Sequence, residues 1–525
     1  MKITRITTLI LFFTFHLSLF TQAQAPHDWF LQDASISQYK GTGANEALTK
    51  LLNGKTGSTV IVAVIDGGTD ISHPDLSANI WTNEKEIPGN GIDDDKNGYV
   101  DDIHGWDFIG GKDGTDVNQD SYELTRVYRE LKKKYANGNT GSDKAEYDYF
   151  LKVEKQYNEK KDDGQKNLDY LNNLCSAIDD MVKDLNKNPI TEDALKNYAP
   201  TDNKLNLAKY FLMAYAQQSG STDYASVISD LKEGQKQYAS MVNYGYNLDF
   251  DPRNIVGDNY DDINEKGYGN NEVQGPDGLH GTHVAGIIAA MRNNNLGMDG
   301  VADHVKIMVV RCVPDGDERD KDVANAIRYA ADNGAKIINM SFGKGFGTNK
   351  HAVDEAVKYA VSKDVLLVHA AGNDGKSNDN SDNFPNDKYV DGTGTAASWL
   401  EVGASGPDGS AAPFSNYGKK TVDIFSPGEE IYSTVPGAEY KNEQGTSMAS
   451  PVCAGVAAIV RSYFPNLTAV QVKELLMNSV YVPVIKTVIP GQTKKQAKMK
   501  KLCVSGGIVN AYLTVDAAMK MSSGK

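Results

Sequence analysis

The chain of 525 residues is long enough to bury a full hydrophobic core and to hold more than one domain. Hydrophobic residues make up 40% and charged residues 23%, the balance of a globular protein rather than a disordered or fibrous one. A formal charge of -15 speaks against a generally basic surface, and so against nucleic-acid or anionic-membrane binding by that route.

Residues 1–25 have the pattern of an export signal: Lys2 and Arg5, an apolar stretch from Leu9 to Phe20, then small residues at Ala23 and Ala25. Cleavage after Ala23 is preferred, since cleavage after Ala25 would leave Pro26 first. The alternative is an uncleaved anchor, for which the apolar stretch is too short. The mature chain is therefore expected to be secreted or periplasmic and without a membrane span. Cys175, Cys312, Cys453 and Cys503 follow no metal-ligand spacing; a Cys453–Cys503 bridge and buried thiols are the two alternatives.

Residues 26–57 form a short N-terminal segment with one helix predicted over 45–52. The run Thr59 to Ile65 is continuously apolar and β-branched, as in a strand covered on both faces. Runs at 306–310, 336–340 and 365–368 share this character, and helical periodicity fills 283–292, 320–333 and 351–362. Strand, helix and strand in this alternation predict an α/β domain with a mostly parallel sheet, over 58–118 and 247–525. Residues 119–246 differ: rich in Lys, Asp, Asn and Tyr, they repeat apolar positions every three or four residues and predict an inserted helical subdomain, with Asn188-Pro189 stopping one helix. Its charge reads as a solvated face, with partner binding or regulation as the other reading. Near the C-terminus, 506–510 is a strand candidate and 515–521 a helix.

In the first α/β segment, Asp93, Asp95 and Asn97 alternate oxygen side chains, Gly98 supplies a turn, and the Tyr99 carbonyl and Asp101 follow. This is the spacing at which a calcium loop begins, although His104 stands where a closing Glu would be. A structural Ca2+ is expected, with a plain solvated turn as the alternative. A second acidic cluster, Asp258 to Asn264, ranks below it.

Three segments put reactive side chains at structural junctions. Asp66 ends the first buried strand, His280 opens a helix of small residues, and Ser447 lies in the first turn of another. Serine needs an imidazole to take its proton and a carboxylate to fix the imidazole's tautomer. In Ala370-Ala-Gly-Asn373, Asn373 follows a strand and can direct its amide at a developing oxyanion. Taken singly, such residues are ordinary turn formers and helix caps.

Together, Val64-Ile-Asp66-Gly-Gly, His280-Gly-Thr-His283-Val-Ala-Gly, Ala370-Ala-Gly-Asn373 and Gly445-Thr-Ser447-Met-Ala-Ser-Pro451 resemble the subtilisin-like serine proteases, in that family's order. The resemblance covers 58–118 and 250–475. It implies a three-layer α/β fold and a serine endopeptidase working on protein or peptide substrates through an acyl-enzyme. Asp66, His280 and Ser447 would be the triad, Asn373 the oxyanion donor and His283 structural. Ser341, Phe342 and Gly343 would pair with the substrate backbone and line the first specificity pocket, with Phe342 hinting at an apolar one. No cofactor is implied for catalysis. A non-catalytic peptide-binding protein using the same cleft is the competing reading.

The sequence also departs from the family pattern. Gly67 stands where a small hydroxyl residue is usual, so support for Asp66 is expected to be altered at most. The stretch between the signal and Asp66 is too short for a conventional N-terminal folding assistant. The helical insertion separates Asp66 from His280.

Overall fold

A computed structural model describes residues 25–135, 143–186, 189–219 and 223–523. The predicted export signal lies outside them except for Ala25, as does Asn188 of the predicted helix stop. The chain divides into two compact units, one formed by residues 119–251 and the other by 25–118 with 252–523.

The first unit is helical: α1 (Glu123–Lys134), α2 (Lys144–Leu185), α3 (Glu192–Asn197), α4 (Asn203–Ser219) and α5 (Tyr224–Ser240). The α2 helix spans 42 residues. Asp143 caps it by accepting from the Glu146 N–H, and Asn186 ends it in a left-handed conformation. Leu171, Leu174, Ile178 and Met181 form one stripe along it and pack with Leu195 and Leu212 in a core of this unit's own. Most of its charged positions lie at the surface, although Glu123, Arg126 and Lys209 are buried.

The second unit is built on a seven-stranded parallel sheet. Its strands are β1 (Val60–Asp66), β2 (Gly105–Asp107), β3 (Val305–Arg311), β4 (Ile337–Met340), β5 (Leu366–Ala370), β6 (Trp399–Ser405) and β7 (Ile424–Pro427). Their spatial order is β2-β3-β1-β4-β5-β6-β7. The strand β1 alternates between two cores: Val60, Val62 and Val64 enter one, Ala63 and Ile65 the other. This is why the run is apolar without interruption. On the first face lie α6 (Leu279–Ala289) and later α9 (Thr446–Tyr463). On the second lie α7 (Asp320–Asp332) and α8 (Lys350–Ser362). Three layers result, the α/β arrangement expected from the sequence. Two further helices, α10 (Ala469–Asn478) and α11 (Ala511–Ser522), close the chain.

Several elements were not apparent in the sequence pattern. The strand β6 carries Glu401 and Gly403 inside a wholly buried run, which breaks the apolar signal. An antiparallel hairpin, β8 (Ile431–Val435) and β9 (Glu439–Glu443), has an exposed, polar second arm. Residues 506–510, a strand candidate, make only isolated bridges: Ile508 is shared between Phe425 and Tyr481, so no ladder extends. All four cysteines are free and buried, and burial raises their thiol pKa values. No helix among the described residues is long and apolar enough to cross a membrane.

Candidate active site

The C-terminal end of β1 delivers Asp66, and the first turn of α6 delivers His280. The helix comes close because residue 281 lacks a side chain: a Cβ on Gly281 would lie 2.1 Å from the Gly68 carbonyl oxygen and 3.2 Å from the Asp66 Cβ. Thr282 fixes the approach by accepting from the Asp70 N–H at 2.8 Å. His280 Nδ1 then lies 2.8 Å from Asp66 Oδ1, which also accepts from the Gly67 N–H at 2.8 Å. With Nδ1 occupied, Nε2 is the nitrogen left to exchange protons, and the side chain is 44% exposed. Burial pulls the imidazole pKa down, but Asp66, assisted by Glu443 and Asp277, outweighs that and holds it above its ordinary value.

Asp66 Oδ2 is buried with no hydrogen-bond partner among the described residues. Gly67 has no hydroxyl to offer it.

Ser447 is the second residue of α9, and this helix contains Pro451. Proline has no N–H, so the carbonyl four residues earlier, that of Ser447, loses its helical donor. Ser341, just past β4, replaces it: its Oγ donates to the Ser447 carbonyl at 2.9 Å. In return the Ser447 hydroxyl donates to the Ser341 carbonyl at 3.0 Å. Asn339 braces this pair, donating from Nδ2 to Ser341 Oγ at 3.0 Å and accepting from Ser450 Oγ at 2.7 Å. The Ser447 hydroxyl thus points to Ser341 rather than His280, a looseness common in sites without substrate.

Asn373 follows β5. Its Oδ1 accepts from both the N–H and the hydroxyl of Thr446, each at 2.9 Å. A backbone N–H can only donate, so the amide's orientation is determined and Nδ2 is the free end. Nδ2 and the Ser447 N–H converge: each lies 3.5 Å from the point where a Cβ on Gly445 would sit. Residues 341–343 extend beyond the β4 ladder without a strand partner among the described residues. His283 is fully buried, its Nε2 bonded to the Lys441 carbonyl at 3.0 Å. Burial lowers its pKa to about 3.

The acidic loop folds back on itself. Carboxylate oxygens of Asp93, Asp95 and Glu86 lie within 4.8 Å of one another. Glu86, seven positions before Asp93, falls outside the loop spacing and was not apparent from it. Asp101 points elsewhere, accepting from the N–H groups of Gly89, Asn90 and Gly91 at 2.9, 3.3 and 2.8 Å. Asn97 Oδ1 accepts from the Tyr99 N–H at 2.8 Å. In the second acidic cluster Asp258 is engaged in ion pairing, with Arg253 and Lys321, both at 2.6 Å.

Residues 57–506 match the Subtilase family. The chain belongs to this family. It is 37% identical over 297 residues to the Thermophilic serine proteinase of Bacillus sp. (strain AK1), covering 55% of this chain and 68% of that one. Subtilisin BL of Lederbergia lenta is 37% identical over 38% of this chain and 69% of its own length. Alkaline elastase YaB of Bacillus sp. (strain YaB) is 39% identical over 38% of this chain, which spans about half of that relative, 49%. The subtilase is a serine endopeptidase acting on protein substrates.

Within this subtilase the residues that sequence reasoning missed are those that orient other residues. Asn339 stands in no quoted motif, and Ser450, although within Gly445–Pro451, was assigned no role there. Asn416 accepts from the Asp374 and Lys376 N–H groups at 3.1 and 2.9 Å and so shapes the turn carrying Asn373. The only sequence signal was an amide or hydroxyl inside an otherwise apolar run, as at Asn339 in Ile337–Met340.

Proposed function

We propose that Ser447 attacks the scissile carbonyl, with His280 taking its proton and later returning it to the leaving amine. Asp66 holds the imidazole in the tautomer that leaves Nε2 basic and stabilises the imidazolium that forms. The oxyanion of the tetrahedral intermediate is received by Asn373 Nδ2 and the Ser447 N–H. The acyl-enzyme is then released by water, which His280 deprotonates in turn. The observation that carries this reading is the 2.8 Å Asp66–His280 contact between side chains 214 positions apart.

In this reading an extended peptide adds its backbone beside residues 341–343, which favours unfolded or flexible segments. Casein hydrolysis blocked by a sulfonyl fluoride and abolished in Ser447→Ala supports it. Full activity in that variant points instead to chemistry elsewhere, and no hydrolysis at all favours the peptide-binding alternative.

The donor set of Glu86, Asp93 and Asp95, all hard oxygens on one loop, fits a Ca2+ with Asn97 and Tyr99 completing the loop. Such an ion would neutralise like charges and stiffen the segment leading to β2, with no part in the chemistry. Asp101, tied to three backbone N–H groups, is assigned a supporting role rather than coordination. Chelation should lower the melting temperature, and Glu86→Gln should remove that response; an unchanged melting temperature refutes the site. Secretion or periplasmic export rests on the pattern of residues 1–25 and is tested by N-terminal sequencing of the exported protein.

A further inference from the structure

A buried polar set lies behind the segment assigned to substrate, and the triad does not use it. His369 on β5 is opposite Glu401 on β6. Glu401 is 5% exposed and His369 fully buried. Glu401 Oε2 accepts from the Trp399 indole N–H at 3.0 Å and lies 2.9 Å from His369 Nδ1. Its other oxygen faces Asn383, whose Nδ2 donates to Glu401 Oε1 at 3.4 Å and to the Ala370 carbonyl at 3.2 Å.

Both Asn383 N–H groups are therefore turned toward β5 and β6. The opposite end of the amide, Oδ1, accepts no hydrogen bond among the described residues, and Asn383 is only half-buried. This oxygen sits between two residues without side chains. A Cβ on Gly343 would lie 2.7 Å from it, and one on Gly372, whose φ is +99°, would lie 4.0 Å from it. Paired hydrogen bonds between Lys344 and Phe384, both 2.9 Å, hold the Asn383 segment beside Gly343. Gly343 keeps a side chain away from an acceptor whose direction is set from behind, while on the Gly372 side the space is taken by Asn416, whose Nδ2 lies 2.5 Å from where a Gly372 Cβ would sit.

We propose that Asn383 is the base of the pocket lined by Ser341, Phe342 and Gly343, and that its Oδ1 selects a substrate side chain ending in an N–H or O–H donor. Glu401, steadied by His369 and Trp399, is a positioning residue that keeps this oxygen outward. The inference rests on residues 341–343 binding the substrate residue before the scissile bond. It sharpens the expectation from Phe342: the pocket has an apolar wall and a hydrogen-bonding floor.

The test uses the full chain and quenched peptides that differ only at the residue before the cleaved bond, paired as Gln with Met and Tyr with Phe. One neutral hydrogen bond predicts that kcat/KM favours the donor-bearing member by about two- to tenfold. In Asn383→Leu both ratios should fall to about one. In Glu401→Gln they should narrow through KM, with kcat for the Met and Phe peptides little changed. Hydrolysis of all four peptides at equal rates by the wild-type chain overturns the proposal, as does a preference that survives Asn383→Leu. Cleavage of none of them overturns the peptidase reading itself, and this one with it.

Discussion

Replacing Ser341 by alanine removes the donor that compensates for Pro451. The Ser447 carbonyl is then an acceptor with neither a helical N–H nor a hydroxyl, and Asn339 Nδ2 loses its acceptor as well. An unsatisfied buried group costs about 1–3 kcal/mol. Ser447 is only half-buried, which places the cost toward the lower end of that range. The decisive measurement is a double-mutant cycle in a Ser447→Ala background, where self-digestion is absent and the carbonyl is retained. Pro451→Ala restores an N–H at position 451, so Ser341→Ala should cost about 1 kcal/mol less in that context than beside the proline. Urea unfolding of the four proteins gives the coupling directly. Additivity within about 0.3–0.5 kcal/mol would refute the compensation. In the active enzyme the same loss loosens the first turn of α9, and kcat for Ser341→Ala should fall about tenfold or more, since small misplacements of a reacting atom are expensive.

Asn373→Leu should lower kcat by about 10²–10³ with little change in KM, the effect of losing one oxyanion donor; an unchanged kcat assigns the oxyanion to other groups. The pH profile of kcat/KM should lose activity as pH falls, with a midpoint above 6.5, because Asp66 favours the protonated imidazole that cannot act as base. His283 acts on stability in the opposite sense from a paired histidine. Its folded pKa of about 3 lies below the unfolded value near 6.5, so the unfolded chain binds the extra proton. Stability complete above pH 6.5 should decline by about 1.4 kcal/mol per unit as pH falls from there toward 3, and His283→Gln should flatten that slope in urea titrations at pH 7 and pH 5. Gly67→Ser offers a donor to Asp66 Oδ2. Its Cβ meets the Val313 carbonyl at 3.1 Å, so the hydroxyl fits only if that carbonyl gives slightly. Melting temperature and kcat should rise together if Asp66 gains the bond.

The parts of this protein legible in its sequence are those where one physical demand dominates. Strand β1 had to be apolar throughout because both faces are covered, and the run Val60 to Ile65 says so without ambiguity. The proposed triad drew attention in the sequence because proton transfer restricts each of its positions to very few residue types. Glu401, by contrast, sits in a strand where a carboxylate contradicts the local pattern, and only its long-range partners His369 and Asn383 make it tolerable. Glu86 shows the same limit: the loop spacing from Asp93 to Asp101 drew attention to Asp101, but backbone N–H groups claim that carboxylate, and the third clustered oxygen comes from outside the motif. The hairpin β8–β9 was hidden because its outer arm, Glu439–Glu443, has no apolar face to alternate.

The pairing of β1 also governs the order in which the chain can assemble. This central strand has no early neighbour: Val60 meets Val305 in β3 and Val62 meets Ile337 in β4, so an aggregation-prone apolar strand must wait for residues made long afterwards. A random loop of that length would be slow to close, although the free-energy penalty grows only logarithmically. Helices α2–α5 fill much of the interval and pack onto a core of their own, so less of that stretch is flexible chain than the residue count suggests. For a peptidase whose triad straddles that interval, activity can appear only after the whole interval has been made and β1 has found both partners.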